Sequence, residues 1–140
     1  MMLLQTVGAF LAVISFALIL ELPKKYVLLA GGIGAAGWLV FLLVREFSGS
    51  VIAASFVSSM VVALSSHISA RICKAPVTVF LVAGILPSVP GTSIYRSVSY
   101  MIGSNPELSS HYLVETLQIA GAIAMAIFIM DSLFRLGQRN

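Results

Sequence analysis

Five long apolar stretches joined by short connectors dominate this sequence. They cover residues 3–20, 26–44, 51–70, 76–102 and 112–134. The first three, at about 18 to 20 residues each, match a hydrocarbon core of roughly 30 Å at about 1.5 Å of rise per residue. Hydrophobic residues make up 59% of the chain and charged residues only 9%, unlike a soluble domain. The sequence therefore predicts an all-α fold, a polytopic membrane helix bundle of about five spans. Residues 1–140 form a single transmembrane domain with no soluble module.

The basic residues alternate between the two ends of the predicted spans. Six of them flank one end and one flanks the other: Lys24, Lys25, Arg71, Lys74, Arg135 and Arg139 against Arg45. The positive-inside rule then predicts an external amino terminus and a cytoplasmic carboxyl terminus. The net charge of +3 is thus explained by orientation, and no nucleic-acid partner is expected.

The fourth apolar stretch is interrupted at residues 87–91, which read Pro-Ser-Val-Pro-Gly. Proline removes a backbone donor and clashes with the carbonyl four residues earlier. In lipid, the polar groups freed in this way are tolerated only against protein or a watery cavity, and broken helices mark substrate sites in many transporters. Pro87, Pro90 and Gly91 are therefore predicted to form a non-helical break at a substrate site. Gly91 is expected to supply unusual backbone angles where the helix restarts.

A short helix bearing Arg96 is predicted after the break, with Thr92 or Ser93 as its candidate N-cap. The free N–H groups of a helix start suit a carboxylate, and Arg96 adds a full positive charge. The carbonyls of Ala83 and Leu86, opposite the two prolines, are expected to be free to accept from an ammonium group. This pattern favours a small amino acid or organic acid. The alternative is a proline-kinked hairpin whose Arg96 reaches the interface or pairs with an acid.

Two carboxylates lie in the last stretch. Burial of Glu115 in the membrane would be costly, so this residue is a candidate for proton coupling or for an ion pair with Arg96. Its closeness to His111 leaves a position in the outer interface open. Asp131 and Arg135 are four residues apart in the favourable order and are predicted to form an ion pair at the helix end.

The third stretch carries a narrow face of small and hydroxyl side chains at helical spacing. Its members are Ser55, Ser59, Ala63, Ser66 and Ala70. One interpretation is tight helix packing with hydroxyls bonded to their own backbone. The other is a polar wall along a permeation path. His67 is interpreted as a structural or interfacial residue, with a proton relay as the alternative.

Motifs that would indicate an enzyme are missing or misplaced. Residues 32–37 match G-x-G-x-x-G but lie inside an apolar span, with no preceding strand. The pairs at positions 30/34, 31/35 and 32/36 are instead read as small residues that admit another helix. There is one cysteine and no HExxH, CxxC or Walker loop. No enzymatic activity, metal or cofactor is therefore expected.

The broken stretch resembles the threonine/serine exporter family, through a Pro-x-x-Pro-Gly-x-Ser-x-Tyr pattern. The matching positions are Pro76, Pro87, Pro90, Gly91, Ser93 and Tyr95. More narrowly, the chain resembles the short membrane-only component of two-component members, over nearly its whole length. The resemblance implies proton-driven export of small amino acids such as threonine and serine. It also implies a larger partner with its own spans and a cytoplasmic domain. Some two-component members look like dicarboxylate exporters acting on succinate.

The leading interpretation is the small membrane subunit of a secondary exporter embedded in the lipid bilayer. Its predicted substrate-binding residues are Pro87, Pro90, Gly91, Ser93, Tyr95 and Arg96, with Glu115 for proton coupling or an ion pair. Arg96 and Glu115 do not belong to the family pattern and rest on their own chemistry. A succinate exporter subunit and an accessory subunit that only stabilises its partner are the alternatives, and a homo-oligomer stays open.

Overall fold

The computed structural model describes residues Met1–Asn140 as six α-helices and one 3-10 turn, with no strand. The helices are α1 (Met2–Ile19), α2 (Lys24–Ser48), α3 (Val51–Cys73), α4 (Val77–Ile85), α5 (Gly91–Ile102) and α6 (Pro106–Arg139), and the turn Leu86–Ser88 joins α4 to α5. Four helices are long and apolar enough to cross a membrane, or up to five spans if the bent α4–α5 pair is one. The predicted all-α membrane bundle of about five spans is confirmed.

The break between α4 and α5 is non-helical, as the prolines predict. Pro87 lies in the 3-10 turn, Val89 has extended backbone angles, and Pro90 precedes the first residue of α5. The axes of the two segments differ by 48°. With a bend of this size, α5 continues in the general direction of α4 and does not turn back. This is the geometry that a single broken membrane span requires.

The expected backbone role of Gly91 is wrong. Gly91 does not have a positive φ, and a Cβ added there would meet nothing within 4 Å. The turn is completed before this residue, because Val89 and Pro90 change the chain direction with negative φ values of −61° and −78°. Neither backbone strain nor packing therefore requires glycine at position 91.

The last helix begins earlier than hydropathy indicates. The predicted start at residue 112 is wrong, since α6 begins at Pro106 and runs for 34 residues, about 51 Å. Asn105 caps it by accepting a hydrogen bond from the Leu108 N–H at 3.3 Å, and Glu107 lies in its first turn. Asn105 and Glu107 are polar signals of a helix start, so the length of the apolar stretch does not reveal them.

Helix α2 lies at the centre of the core bundle, the name used below for α1–α4, and packs against the other three helices. Its glycines allow close approach. A Cβ on Gly34 would lie 2.5 Å from Val13 Cγ2, and one on Gly37 would overlap Val62. The predicted packing role is confirmed for Gly31 and Gly34. No helix of this chain packs against Gly32, which has open space around it because it faces away from the bundle.

Helices α5 and α6 form an antiparallel hairpin, called the arm below. Helix α5 packs only against α6, and α6 packs against α5 and α3. Two reciprocal hydrogen bonds lock the hairpin: the Ser97 hydroxyl donates to the Ser109 carbonyl at 2.9 Å, and the Ser109 hydroxyl donates to the Ser97 carbonyl at 2.8 Å. The arm therefore meets the core bundle only at the break and along α3.

Candidate functional site

A cavity of about 310 Å³ lies at the break, between the core bundle and the arm. We call it the break cavity. Its walls come from α2, the start of α3, the turn, the start of α5 and one side of α6. The lining residues are Trp38, Phe41, Arg45, Val51, Ser55, Pro87, Ser88, Val89, Pro90, Thr92, Ser93, Arg96, Glu115 and Ile119.

The structure brings most of the residues predicted from sequence to this cavity. Those that line it are Pro87, Pro90, Ser93, Arg96 and Glu115. Gly91 does not line it, and a Cβ added there would meet open space. Tyr95 lies outside the cavity with its side chain 72% exposed, because it sits on the side of α5 that faces away from α6.

Glu115 is held from two sides. Its Oε1 accepts a hydrogen bond from the Ser93 hydroxyl at 2.9 Å, and its Oε2 lies 4.0 Å from His111 Nε2. The side chain is 29% exposed, whereas that of His111 is 68% exposed. Glu115 thus lies one helical turn inside the more exposed His111, with one oxygen toward the break cavity and the other toward the end of the bundle.

Arg96 packs against an aromatic ring. Its guanidinium lies 5.4 Å from the ring centroid of Tyr112, and Nη1 approaches the Tyr112 hydroxyl oxygen at 3.4 Å. The same ring stacks on Tyr100 at 5.6 Å. No carboxylate lies within 4.0 Å of Arg96, so Arg96 and Glu115 line one cavity without forming an ion pair in this structure.

Two local expectations at the break are wrong. No side chain caps α5, because the helix begins at Gly91 and the Ser93 hydroxyl is used on Glu115 instead. The carbonyls of Ala83 and Leu86 are not left free either. The first accepts from the Leu86 N–H and the second from the Val89 N–H at 3.2 Å. The 3-10 turn takes up the acceptors that the prolines leave unused.

Sequence reasoning missed the wall of the cavity that α2 provides. Trp38 and Phe41 stack with their centroids 4.9 Å apart and an interplanar angle of 14°, and Arg45 brings a second guanidinium. These three residues follow i, i+3 and i+7 spacing, which places them on one helical face. This spacing is the sequence signal for a shared face. The charge pattern alone indicates only that Arg45 helps to set the orientation of the chain in the membrane.

The turn itself is tied to the core bundle by buried hydroxyls. The Ser58 hydroxyl donates to the Gly37 carbonyl at 2.7 Å and lies 3.3 Å from the Ser88 hydroxyl. All three residues are buried. The floor of the break cavity is therefore anchored to α2 and α3, independently of the arm.

The serine face of α3 is a buried packing surface, as the first interpretation predicts. All its members are buried, as tight packing requires. Ser55 donates to its own backbone at the Val51 carbonyl, at 2.8 Å, and also lines the break cavity. The hydroxyls of Ser59 and Ser66 have no hydrogen-bond partner, so the prediction that they bond to the backbone of their own helix is wrong. The face is thus a packing surface whose first residue borders the cavity.

A second polar cluster closes the opposite end of the α3–α6 interface. Arg135 Nε lies 2.8 Å from Asp131 Oδ2, which confirms the predicted helix-end ion pair. His67 Nε2 lies 3.8 Å from the other Asp131 oxygen, and the His67 ring stacks on Phe134 at 4.4 Å. His67 is buried in this contact. The cluster fastens the end of α6 to α3, far along the helix from Glu115.

A comparison with protein families adds one finding. The model of the threonine/serine exporter family, ThrE, matches residues 5–133. The match covers all six helices apart from the two ends of the chain. No curated protein and no solved structure matches the chain significantly.

Proposed function

Since this chain belongs to the threonine/serine exporter family, we propose that it is the small membrane subunit of a secondary exporter for threonine-like and serine-like amino acids. The observation that carries this proposal is the break cavity, which holds charges of both signs within one small space. At about 310 Å³ it is at the lower end of small-molecule sites, which span about 300–1,000 Å³.

An amino acid at neutral pH carries a carboxylate and an ammonium group, and the cavity offers a partner for each. The start of α5 has no side-chain cap, and its Thr92 and Ser93 line the cavity, so the partial positive charge of the helix start lies beside it; the Gly91 N–H is already used on the Val89 carbonyl. The Glu115 carboxylate lies beside the first turn of α5 and accepts one close hydrogen bond, from Ser93. The substrate carboxylate therefore binds near Arg96, and its ammonium group binds Glu115.

Proton coupling is assigned to Glu115. Its carboxylate is the only acidic side chain lining the cavity, and a proton and a substrate ammonium group compete for the same oxygen atoms. Binding one releases the other, which is the exchange that a proton-driven exporter needs. Ser93 holds the carboxylate in place between the two events.

A dicarboxylate is the second candidate substrate, and a specific observation favours it. Arg45 and Arg96 both line the break cavity, so two guanidinium groups face one bound molecule. Guanidinium groups bind carboxylates well because their fork of donors matches the two oxygens. Succinate would use both arginines and make no use of Glu115.

The assembly and orientation form the remaining part of the proposal. A larger subunit with its own spans and a cytoplasmic domain completes the transporter, as the family resemblance implies. The amino terminus lies outside and the carboxyl terminus in the cytoplasm of a bacterial inner membrane. In a variant lacking the free Cys73, Ser48→Cys at the exposed end of α2, next to the α2–α3 connector, should react with an impermeant thiol reagent only from outside. Labelling only from the cytoplasm would reverse the orientation.

Counterflow in proteoliposomes tests the function. The chain alone, and the complex that co-purifies with it, are reconstituted and loaded with unlabelled threonine, serine or succinate, and uptake of the same labelled compound is followed. We expect threonine and serine exchange by the complex, reduced at least tenfold by Arg96→Gln. Arg139→Gln, an arginine at the far end of α6, is the matched control and should exchange normally.

Each counterflow outcome has a distinct meaning. Succinate exchange without threonine or serine exchange would favour the dicarboxylate transporter. Equal exchange by wild type and Arg96→Gln would place recognition elsewhere, and exchange by the partner without this chain would leave an accessory, stabilising role.

A further inference from the structure

A second cleft meets the break cavity from the end of the bundle. It has a volume of about 450 Å³ and lies between the start of α3, at residues 50–52, and the α6 residues His111, Val114, Glu115 and Gln118. We call it the side cleft. Its outer limit is set by Ser50, the N-cap of α3, and by His111 near the start of α6. It therefore opens at the bundle end that carries both the α2–α3 and the α5–α6 connectors.

The side cleft and the break cavity share two lining residues, Val51 and Glu115. The two spaces are therefore neighbours separated by these side chains. Glu115 has one oxygen on each side, since Oε1 accepts from Ser93 in the break cavity and Oε2 points toward His111 in the cleft. The Glu115 carboxylate therefore lies at the boundary between the two spaces.

The charges of the two compartments differ. The break cavity contains Arg45 and Arg96, whereas no arginine or lysine lines the side cleft. Its polar groups are Ser50, His111, Gln118 and the shared Glu115, which can surround an ammonium group without a competing lysine or arginine. A zwitterion in the break cavity with its carboxylate near Arg96 would therefore have its ammonium end toward Glu115 and the cleft.

We propose that the side cleft is the route by which substrate passes between the break cavity and the membrane face at the connector end, with Glu115 as the carboxylate at its constriction. This inference rests on the proposed function, because it needs the break cavity to hold substrate. It names α3 and α6 as the walls of the route, and Gln118 and Ile52 as residues that the substrate passes.

Cysteine accessibility tests the route in the intact complex, in a Cys73→Ser background. Gln118→Cys faces the cleft, and its neighbour Leu117→Cys is the matched control, since Leu117 is 64% exposed but lines neither compartment. A charged methanethiosulfonate added at the connector end should modify Gln118→Cys at least tenfold faster than Leu117→Cys. Threonine at saturating concentration should slow the first reaction and leave the second unchanged.

Modification should also block transport. Counterflow by Gln118→Cys should fall at least tenfold when the cysteine is fully modified, compared with the same variant before modification, and counterflow by Leu117→Cys should not change. If Gln118→Cys does not assemble, Ile52→Cys on the opposite wall carries the same test. Slow modification of both Gln118→Cys and Ile52→Cys would overturn the route and leave the proposed function standing. Full modification of these cysteines without loss of exchange would do the same. Absence of exchange in the unmodified complex would overturn both.

Discussion

The two halves of the broken span bury opposite kinds of residue. Helix α4 buries Phe80, Ala83 and Gly84 among α1, α2 and α3, and Phe80 is completely enclosed, with its ring edge-to-face on Tyr26. Helix α5 buries only serines and packs on α6 alone. One half of the span is therefore part of a close-packed scaffold, and the other is held by hydrogen bonds to a single helix.

This difference explains where the cavity lies. Close helix packing fixes the core bundle, whereas α5 turns Ser93 and Ser97 inward and its Ile94, Val98 and Met101 outward. In a bilayer, lipid covers such an outward apolar face, so polar residues are free to line the interior. The break cavity forms where the rigid half meets the polar half, and charged groups from both sides reach it.

Truncation of one large side chain in each half should show the difference between the two halves most strongly. Phe80→Ala should lower the free energy of unfolding by about 3–5 kcal/mol, since it leaves a cavity in a fully packed site. Ile94→Ala, on the half-exposed face of α5, should cost less than about 1 kcal/mol. Thermal and denaturant unfolding in detergent measure both. Similar losses for the two variants would contradict a scaffold confined to the α4 half.

Overpacking the scaffold should have the next largest effect. Gly34→Leu forces a side chain into Val13 and should destabilise the protein by about 1–3 kcal/mol. Gly32→Leu, two residues away on the same helix, meets open space and should leave the melting temperature nearly unchanged. Both are compared with wild type by the fraction of monodisperse protein and its melting temperature. A larger loss for Gly32→Leu would mean that α2 packs through a different face.

The smallest effect is expected inside the arm. Ser97→Ala and Ser109→Ala each remove one hydroxyl-to-carbonyl hydrogen bond, and each should lower the free energy of unfolding by about 0.6 kcal/mol, and at most about 1.7. Ser99→Ala, on the exposed side of α5, is the control and should be neutral. No loss of stability in either serine variant, relative to Ser99→Ala, would show that the reciprocal bonds do not hold the hairpin together.

The bundle and the break were predictable because both depend on local sequence. Apolar length sets the spans, and Pro87 and Pro90 set the break whatever surrounds them. The early start of α6 was also locally encoded, by Asn105 and Pro106, but in polar residues that hydropathy ignores.

Sequence spacing places Trp38, Phe41 and Arg45 on one helical face, but it does not say that this face meets the break. Trp38 and Arg45 join the cavity only because the glycines of α2 let that helix sit close to α1 and α3, which sets the tertiary distance between α2 and the break. The hydrogen bond from Ser93 to Glu115 joins residues 22 positions apart and depends on how α5 folds back on α6. Tyr95 matched the family pattern, but helical phase turns it away from the cavity.

Substrate protection of single cysteines on α5 tests the central claim most directly, because two neighbouring positions lie on opposite sides of the cavity wall. In the complex with Cys73→Ser, Thr92→Cys lies in the break cavity and Tyr95→Cys lies outside it. Threonine, serine or succinate should slow modification of Thr92→Cys by a small thiol reagent at least fivefold, and should leave the rate at Tyr95→Cys unchanged. Equal rates at Thr92→Cys with and without saturating substrate, in a complex that still exchanges it, would contradict a substrate site at the break.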